Sequence, residues 1–338
     1  MRIVAFLNEL SIWWHIGGVL VICGALVLVP DHHQSTRFVF GEFVNNTGFT
    51  SSLYVVAIGL LMAQYTFTGY DASAHMTEET IDAATAGPKG IVRSILVSLA
   101  AGFVLLFGFT YAIQSYSGAL GSETGVPPAQ ILMDALGAAT GKWLLVVIIV
   151  AQLFCGMASV TANSRMIYAF SRDGALPFSR IWHKLHSATR TPTNAVWLAT
   201  GGAFCLGLPY LWNSTAYAAV TSIATIGLYI AYVIPTYLRL RQGDRFERGP
   251  WHLGSWSTII GTVAVAWVAV ITVLFMLPQA SPVTAKTFNY APIAVGIVIA
   301  FCGIWWLASA RKWFLNPHHP RNRAPHQVHA VEQEASHP

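Results

Sequence analysis

Charge is scarce in this sequence. Of 338 residues only 10% are Asp, Glu, Lys or Arg, against about a quarter in a soluble domain. That shortage, beside 54% apolar and 12% aromatic residues, excludes a disordered chain, a collagen-like chain and a two-domain soluble α/β enzyme. Cysteine is sparse as well: Cys23, Cys155, Cys205 and Cys302 stand singly in apolar runs with no CxxC pair. Neither a disulfide framework nor a zinc site is indicated, and packing is their expected role. Enzyme signatures are missing too. The chain has no HExxH, no GxSxG and no phosphate-binding glycine loop, and so reads as a protein that is not an enzyme and needs no organic cofactor. The first ten residues contain Glu9 and lack the basic start and small-residue cleavage site of a signal peptide, which leaves the first apolar run as a span.

What the chain has instead is long apolar runs, with a mean hydropathy of +0.54. A bilayer core of about 30 Å takes about 20 apolar residues in a helix. Eight stretches fit: 12–29, 53–70, 91–113, 143–170, 195–211, 217–238, 257–277 and 290–308. Two are marginal, because 53–70 runs straight into Asp71 and 195–211 is short and meets Pro209. The expected fold is therefore an all-α integral membrane protein, with a transmembrane domain over 1–309 and a disordered cytoplasmic tail over 310–338.

Basic residues orient it. With Met1 on the cytoplasmic side, every Lys and Arg except Arg37, Lys142 and Lys286 falls inside, the bias that sets topology. Both termini are then cytoplasmic, and the net charge of +5 is topogenic and implies no nucleic-acid partner. The tail holds His318, His319, His326, His329 and His337 among prolines and reads as solvated chain, with metal binding the less favoured alternative. Two N-x-S/T sequences, at Asn45 and Asn213, fall on the outer side.

One stretch is chemically distinctive. From Tyr65 the sequence runs Tyr-Thr-Phe-Thr-Gly-Tyr-Asp-Ala-Ser-Ala-His-Met-Thr-Glu-Glu to Glu79, turning polar before a membrane is crossed. A carboxylate at the centre of a span costs about 3 kcal/mol on insertion scales and so faces a cavity or a partner. Gly69 beside Asp71 is where a helix can open, and main-chain groups freed in a membrane are tolerated only where they line a cavity or lie buried in protein. Such groups bind small charged solutes in secondary transporters. The plainer alternative is that the span ends at Tyr70 and Asp71 begins an interfacial turn. Helical spacing places His75 on the face of Asp71, with Glu78 and Glu79 following. A second polar interruption lies at 155–165, where Ser159 and Thr161 are either packing residues or hydroxyls that face the same cavity. A third, weaker one is 221–227.

The run Gly69-Tyr70-Asp71-Ala72-Ser73-Ala74-His75-Met76-Thr77-Glu78-Glu79-Thr80, followed by Gly87-Pro88-Lys89-Gly90-Ile91, resembles the sixth-helix signature of amino acid permeases of the amino acid–polyamine–organocation superfamily. Residues 164–177, Ser-Arg-Met-Ile-Tyr-Ala-Phe-Ser-Arg-Asp-Gly-Ala-Leu-Pro, are similar to the end of that family's eighth helix. Within it the chain looks like the amino acid/choline branch, which includes the 4-aminobutyrate permeases. The resemblance covers nearly all of 1–310. It implies an inverted-repeat fold of five plus five helices with two more, the eight spans here answering to helices five to twelve. The implied function is alternating-access transport of amino acids or related amines across the plasma membrane, coupled to H+ or Na+. Phe67, Thr68, Gly69 and Tyr70 would face the substrate, Asp71 would bind or gate, and Ser159 with Thr161 would serve substrate or coupling ion. The resemblance further implies that the first four helices are lacking. A fragmentary permease with weak transport alone is then expected, and a membrane binding or assembly partner that carries no solute is the alternative.

Overall fold

The computed structural model describes residues 2–77, 80–122, 125–212, 214–285 and 287–311. Glu78 and Glu79, Asn213, Lys286 and the histidine-bearing tail lie outside the described residues. The described secondary structure is helical: α1 (Arg2–Leu28), α2 (Thr36–Gly41), α3 (Ser52–Thr66), α4 (Ala72–His75), α5 (Ala83–Tyr111), α6 (Tyr116–Leu120), α7 (Pro127–Leu136), α8 (Ala138–Arg172), α9 (Ser179–Trp182), α10 (Thr193–Gly207), α11 (Ser214–Gln242), α12 (Trp256–Met276) and α13 (Ala291–Trp305).

Among the described residues six helices are long and apolar enough to cross a membrane: those within α1, α5, α8, α11, α12 and the segment Ala291–Ala310. The chain is a multi-pass helical membrane protein. The two marginal stretches form helices of 15 residues each, α3 and α10, about 22 Å long at 1.5 Å per residue. Each is cut short for a visible reason. After Thr66 the backbone leaves helical geometry toward Gly69, and after Gly207 it tightens into a 3-10 turn, Leu208–Leu211, that contains Pro209.

Serine caps open several elements. The Ser51 hydroxyl accepts from the Tyr54 N–H at the start of α3, Ser35 from Phe38 at α2, and Ser115 from Gly118 at α6. Each satisfies a donor that a helix start leaves without an internal partner.

The chain divides into two units, 1–159 with 228–287 and 160–227 with 288–338. In the first, α1 lies along α5, where Gly108 lets the Cys23 side chain approach; a Cβ at Gly108 would meet Cys23 Sγ at 3.4 Å. Ile22 and Leu26 of α1, Ala112 and Ile113 after α5, Ile131 and Leu132 of α7, and Leu144 of α8 form its main apolar cluster. The Trp14 indole N–H donates to the Val147 carbonyl at 3.0 Å, joining α1 to α8. At the α7–α8 corner a Cβ on Gly141 would lie 2.9 Å from backbone atoms of Met133, so only glycine fits.

The second cluster of this unit joins α11 to α12 through Tyr229, Val268 and Ile271. Arg239 donates to the Ser257 carbonyl at 2.9 Å beside it. α3 is fastened to α12 and its following loop: the Tyr54 hydroxyl donates to the Pro278 carbonyl at 2.6 Å, and the Tyr65 and Phe275 rings meet edge to face at 5.3 Å. In the other unit, Trp182 donates to the Pro177 carbonyl and Asn194 to that of Ile181, which ties α9 to α10. Ser164 and Ser171 of α8 and Ser222 and Thr225 of α11 are buried there.

All four cysteines are free. Cys23 alone is buried; Cys155, Cys205 and Cys302 are exposed, so the packing role read from their apolar surroundings holds only where a glycine admits a helix crossing.

Candidate functional site

The site begins where α3 stops. The Phe67 N–H still reaches the Ala63 carbonyl in helical fashion, but Thr68 donates three residues back to Tyr65, and Ala72 three back to Gly69. Gly69 between them has φ +86°, a left-handed conformation that L side chains rarely adopt. α4 then runs for only four residues. Among the described residues, none donates a hydrogen bond to the carbonyls of Phe67 or Thr68. Among the described residues these two acceptors therefore lack the donors that an unbroken helix would supply.

Two tyrosines of α11 brace it. The Tyr232 hydroxyl donates to Asp71 Oδ1 at 2.6 Å and accepts from the Gly69 N–H at 3.3 Å. One turn earlier the Tyr229 hydroxyl donates to the Gln64 carbonyl at 3.0 Å, near the end of α3. The Tyr70 ring lies over that of Tyr232 with centroids 4.5 Å apart. The other carboxylate oxygen of Asp71 is held by His75 Nε2 at 2.8 Å, an ion pair whenever the imidazole is protonated. Both oxygens of Asp71 are thus engaged by protein groups.

A cavity of about 120 Å³ opens beside the break, lined by the segment Thr66–Tyr70 and by Ser94, Ile95 and Ser98 of α5. Its hydroxyls mostly point their protons into the protein. Thr66 donates to the Met62 carbonyl, Thr68 to that of Tyr65, and Ser94 to that of Ile91. A hydroxyl whose proton is so committed offers a solute its lone pairs. Among the described residues the lining includes no acidic or basic side chain.

Phe67, Thr68, Gly69 and Tyr70 come together on this cavity. Asp71 does not line it and stands behind the break, turned to Tyr232 and His75. Ser159 is exposed on α8 and is not part of the lining. Thr161 lies two residues on, about 200° around the helix axis, with its carbonyl accepting from Ser164 and Arg165. Sequence reasoning left out Tyr229, Tyr232, Ser94 and Ser98. The signals were there: two tyrosines at i, i+3 in α11, and two serines at i, i+4 in an otherwise apolar turn of α5.

Comparison with known proteins joins this geometry to a family. The amino acid permease family model matches residues 1–300. The amino-acid permease BAT1 of Arabidopsis thaliana is 47% identical over 329 residues, covering 94% of this chain and 63% of its own. Its rice homologue, from Oryza sativa subsp. japonica, is 43% identical, over 93% of this chain and 62% of its own. The GABA-specific permease of Saccharomyces cerevisiae is 30% identical, over 93% and 56%. The chain spans about three fifths of the length of these curated relatives. A family pattern through nearly the whole sequence, together with the broken apolar helix at its centre, leads to one conclusion: this chain belongs to the amino acid permease family.

Proposed function

We propose that this chain carries amino acids or related amines, 4-aminobutyrate among them, across the plasma membrane by alternating access. The observation that supports this most directly is the break at Thr66–Asp71, where Gly69 has φ +86° and the carbonyls of Phe67 and Thr68 have no donor among the described residues, beside a cavity of about 120 Å³. Discontinuous helices of this kind hold charged groups near the bilayer midplane in secondary transporters. In this reading Phe67, Thr68, Gly69 and Tyr70 meet the solute, and Asp71 gates through Tyr232 instead of touching it.

The finer architecture belongs to the same proposal. Eight membrane-embedded segments, answering to helices five to twelve of an inverted-repeat fold, follow if α3 completes its passage through the break and α4, and α10 through its 3-10 turn. Both termini are cytoplasmic. Transport is coupled to H+ or Na+. The Asp71–His75 pair is a protonatable element beside the break. Ser159 is proposed for cation coupling on the family resemblance, and Thr161 on the polar character of the 155–165 stretch.

The test is counterflow in proteoliposomes that contain the purified chain, preloaded with unlabelled 4-aminobutyrate and then given the tritiated compound outside. Saturable accumulation of label in the lumen, competed by amino acids, is the expected result. Label retained on the protein with none in the lumen overturns transport and leaves a solute-binding membrane protein.

A further inference from the structure

We propose that Ser94 and Ser98 of α5 determine which kind of nitrogen the cavity accepts: their hydroxyl oxygens receive the N–H groups of a primary ammonium, and a quaternary ammonium is refused. This rests on the reading of the Thr66–Tyr70 cavity as the solute site, and it assigns to α5 a role in that site.

The serines lie one helical turn apart, so they share a face, and both line the cavity opposite the break. Their height relative to the break is fixed by packing one turn below. A Cβ on Gly90 would lie 3.0 Å from Ser73 Oγ, and one on Gly87 would lie 3.1 Å from Thr77 Cγ2. α4 and the residues after it therefore rest directly on the same face of α5. Above Ser73 the broken helix turns away, and the face that carried glycine under contact carries serine over open space.

Two of the hydroxyls in that space have their protons committed to the protein. Ser94 spends its proton on the Ile91 carbonyl at 2.8 Å, and Thr68 spends its own on the Tyr65 carbonyl at 2.8 Å. What such hydroxyls can offer a solute is oxygen lone pairs, and the carbonyls of Phe67 and Thr68 have no donor among the described residues. Ser98 makes no hydrogen bond to the described residues and can accept as well. An –NH3+ group brings three donors to such a wall. A trimethylammonium group brings none and is recognised instead by open aromatic faces. Of the two aromatic residues in the lining, Phe67 and Tyr70, the Tyr70 ring is packed at a tilt on Tyr232 with centroids 4.5 Å apart, which leaves one ring, Phe67, and no aromatic cage. Among the described residues the lining has no carboxylate, and the discrimination proposed here is by hydrogen-bond donors.

The experiment uses the full chain in proteoliposomes, with tritiated 4-aminobutyrate and tritiated alanine as probes. Each is displaced by its unlabelled form or by the same molecule trimethylated on nitrogen. Wild type is expected to require at least about tenfold more of the trimethylated compound, the scale of one hydrogen bond to a charged group. Ser94→Ala and Ser98→Ala should each weaken the primary amine about tenfold and leave the trimethylated compound unchanged, which narrows the gap. Ser94→Thr, which keeps the acceptor, should retain the preference; thermal unfolding of each variant confirms that it is folded. Equal affinity for the two nitrogens in wild type overturns the proposal, as does a serine variant that weakens both compounds alike or neither. Binding of neither probe overturns the reading of the cavity itself, a result distinguishable from failure of the serines.

Discussion

Tyr232 and Asp71 are joined by a hydrogen bond of 2.6 Å, and through it a residue 161 positions further along the chain holds the open end of a broken helix. The same hydroxyl accepts from the Gly69 N–H, so a single oxygen spans the turn. Removing it is informative because the ring can stay. Tyr232→Phe keeps the tilted ring contact with Tyr70 and deletes both hydrogen bonds. A hydrogen bond to a charged group contributes about 1.5–3 kcal/mol. The expected outcome is faster amide exchange over Thr68–Ala72 and a fall in thermal stability of about 1–3 kcal/mol, with uptake reduced. Exchange identical to wild type would show that Tyr232 is not what holds the break.

Gly69 isolates backbone conformation from packing. A Cβ placed there meets nothing within 4 Å, yet φ is +86°. Any loss on substitution is therefore conformational, about 1–2 kcal/mol for an ordinary L residue, and smaller for asparagine, which tolerates left-handed backbone. Uptake and melting temperature should fall in the order Gly, Asn, Ala, Val. Retained function in Gly69→Val would mean that the break does not need this conformation.

Two glycines of α8 make a contrasting pair. Gly141→Ala forces a Cβ to within 2.9 Å of Met133 backbone, whereas Gly156 has nothing within 4 Å. Overpacking against main chain costs about 1–3 kcal/mol, while alanine in an open helical position gains up to about 1 kcal/mol in propensity. Thermal unfolding in detergent should show Gly141→Ala destabilised and Gly156→Ala neutral or slightly stabilised. Two equal shifts would contradict the α7–α8 corner.

The orientation can be checked with single cysteines on a background in which the four native ones are alanine. Asn45→Cys, before α3, should react with a membrane-impermeant maleimide on intact cells. Asp244→Cys, between α11 and α12, should react only after permeabilisation. The reverse pattern inverts the topology read from the basic residues.

How much of this was legible in the sequence differs from residue to residue. The long spans were, because an apolar run has no alternative in water; their ends were not. Hydropathy starts the first span at Ile12, yet α1 begins at Arg2, since Asn8 and Glu9 are compatible with a helix even where they are poor company for lipid. The polar run beside Gly69 marked an interruption, and α3 ends three residues before that glycine. His75 beside Asp71 followed from helical spacing alone, because both lie within one turn. Tyr232 could not be read the same way: its partner lies 161 residues away, and only the packing of α11 brings the two together. Ser94 and Ser98 likewise look like ordinary tolerated serines until the break opposite them supplies the empty space. Ser159 and Thr161, singled out by composition, do not line the cavity.

The two halves of the broken helix are anchored to different neighbours. α3 is bound to α12 through Tyr54 and Tyr65, while α4 and its continuation rest on the glycines of α5. Strain applied to α12 is therefore delivered to the Thr66 end of the gap, and strain applied to α5 to the His75 end. The width of the opening then answers to both neighbours, with Tyr229 and Tyr232 of α11, bonded to Gln64 on one side and Asp71 on the other, as the spring that resists their separation.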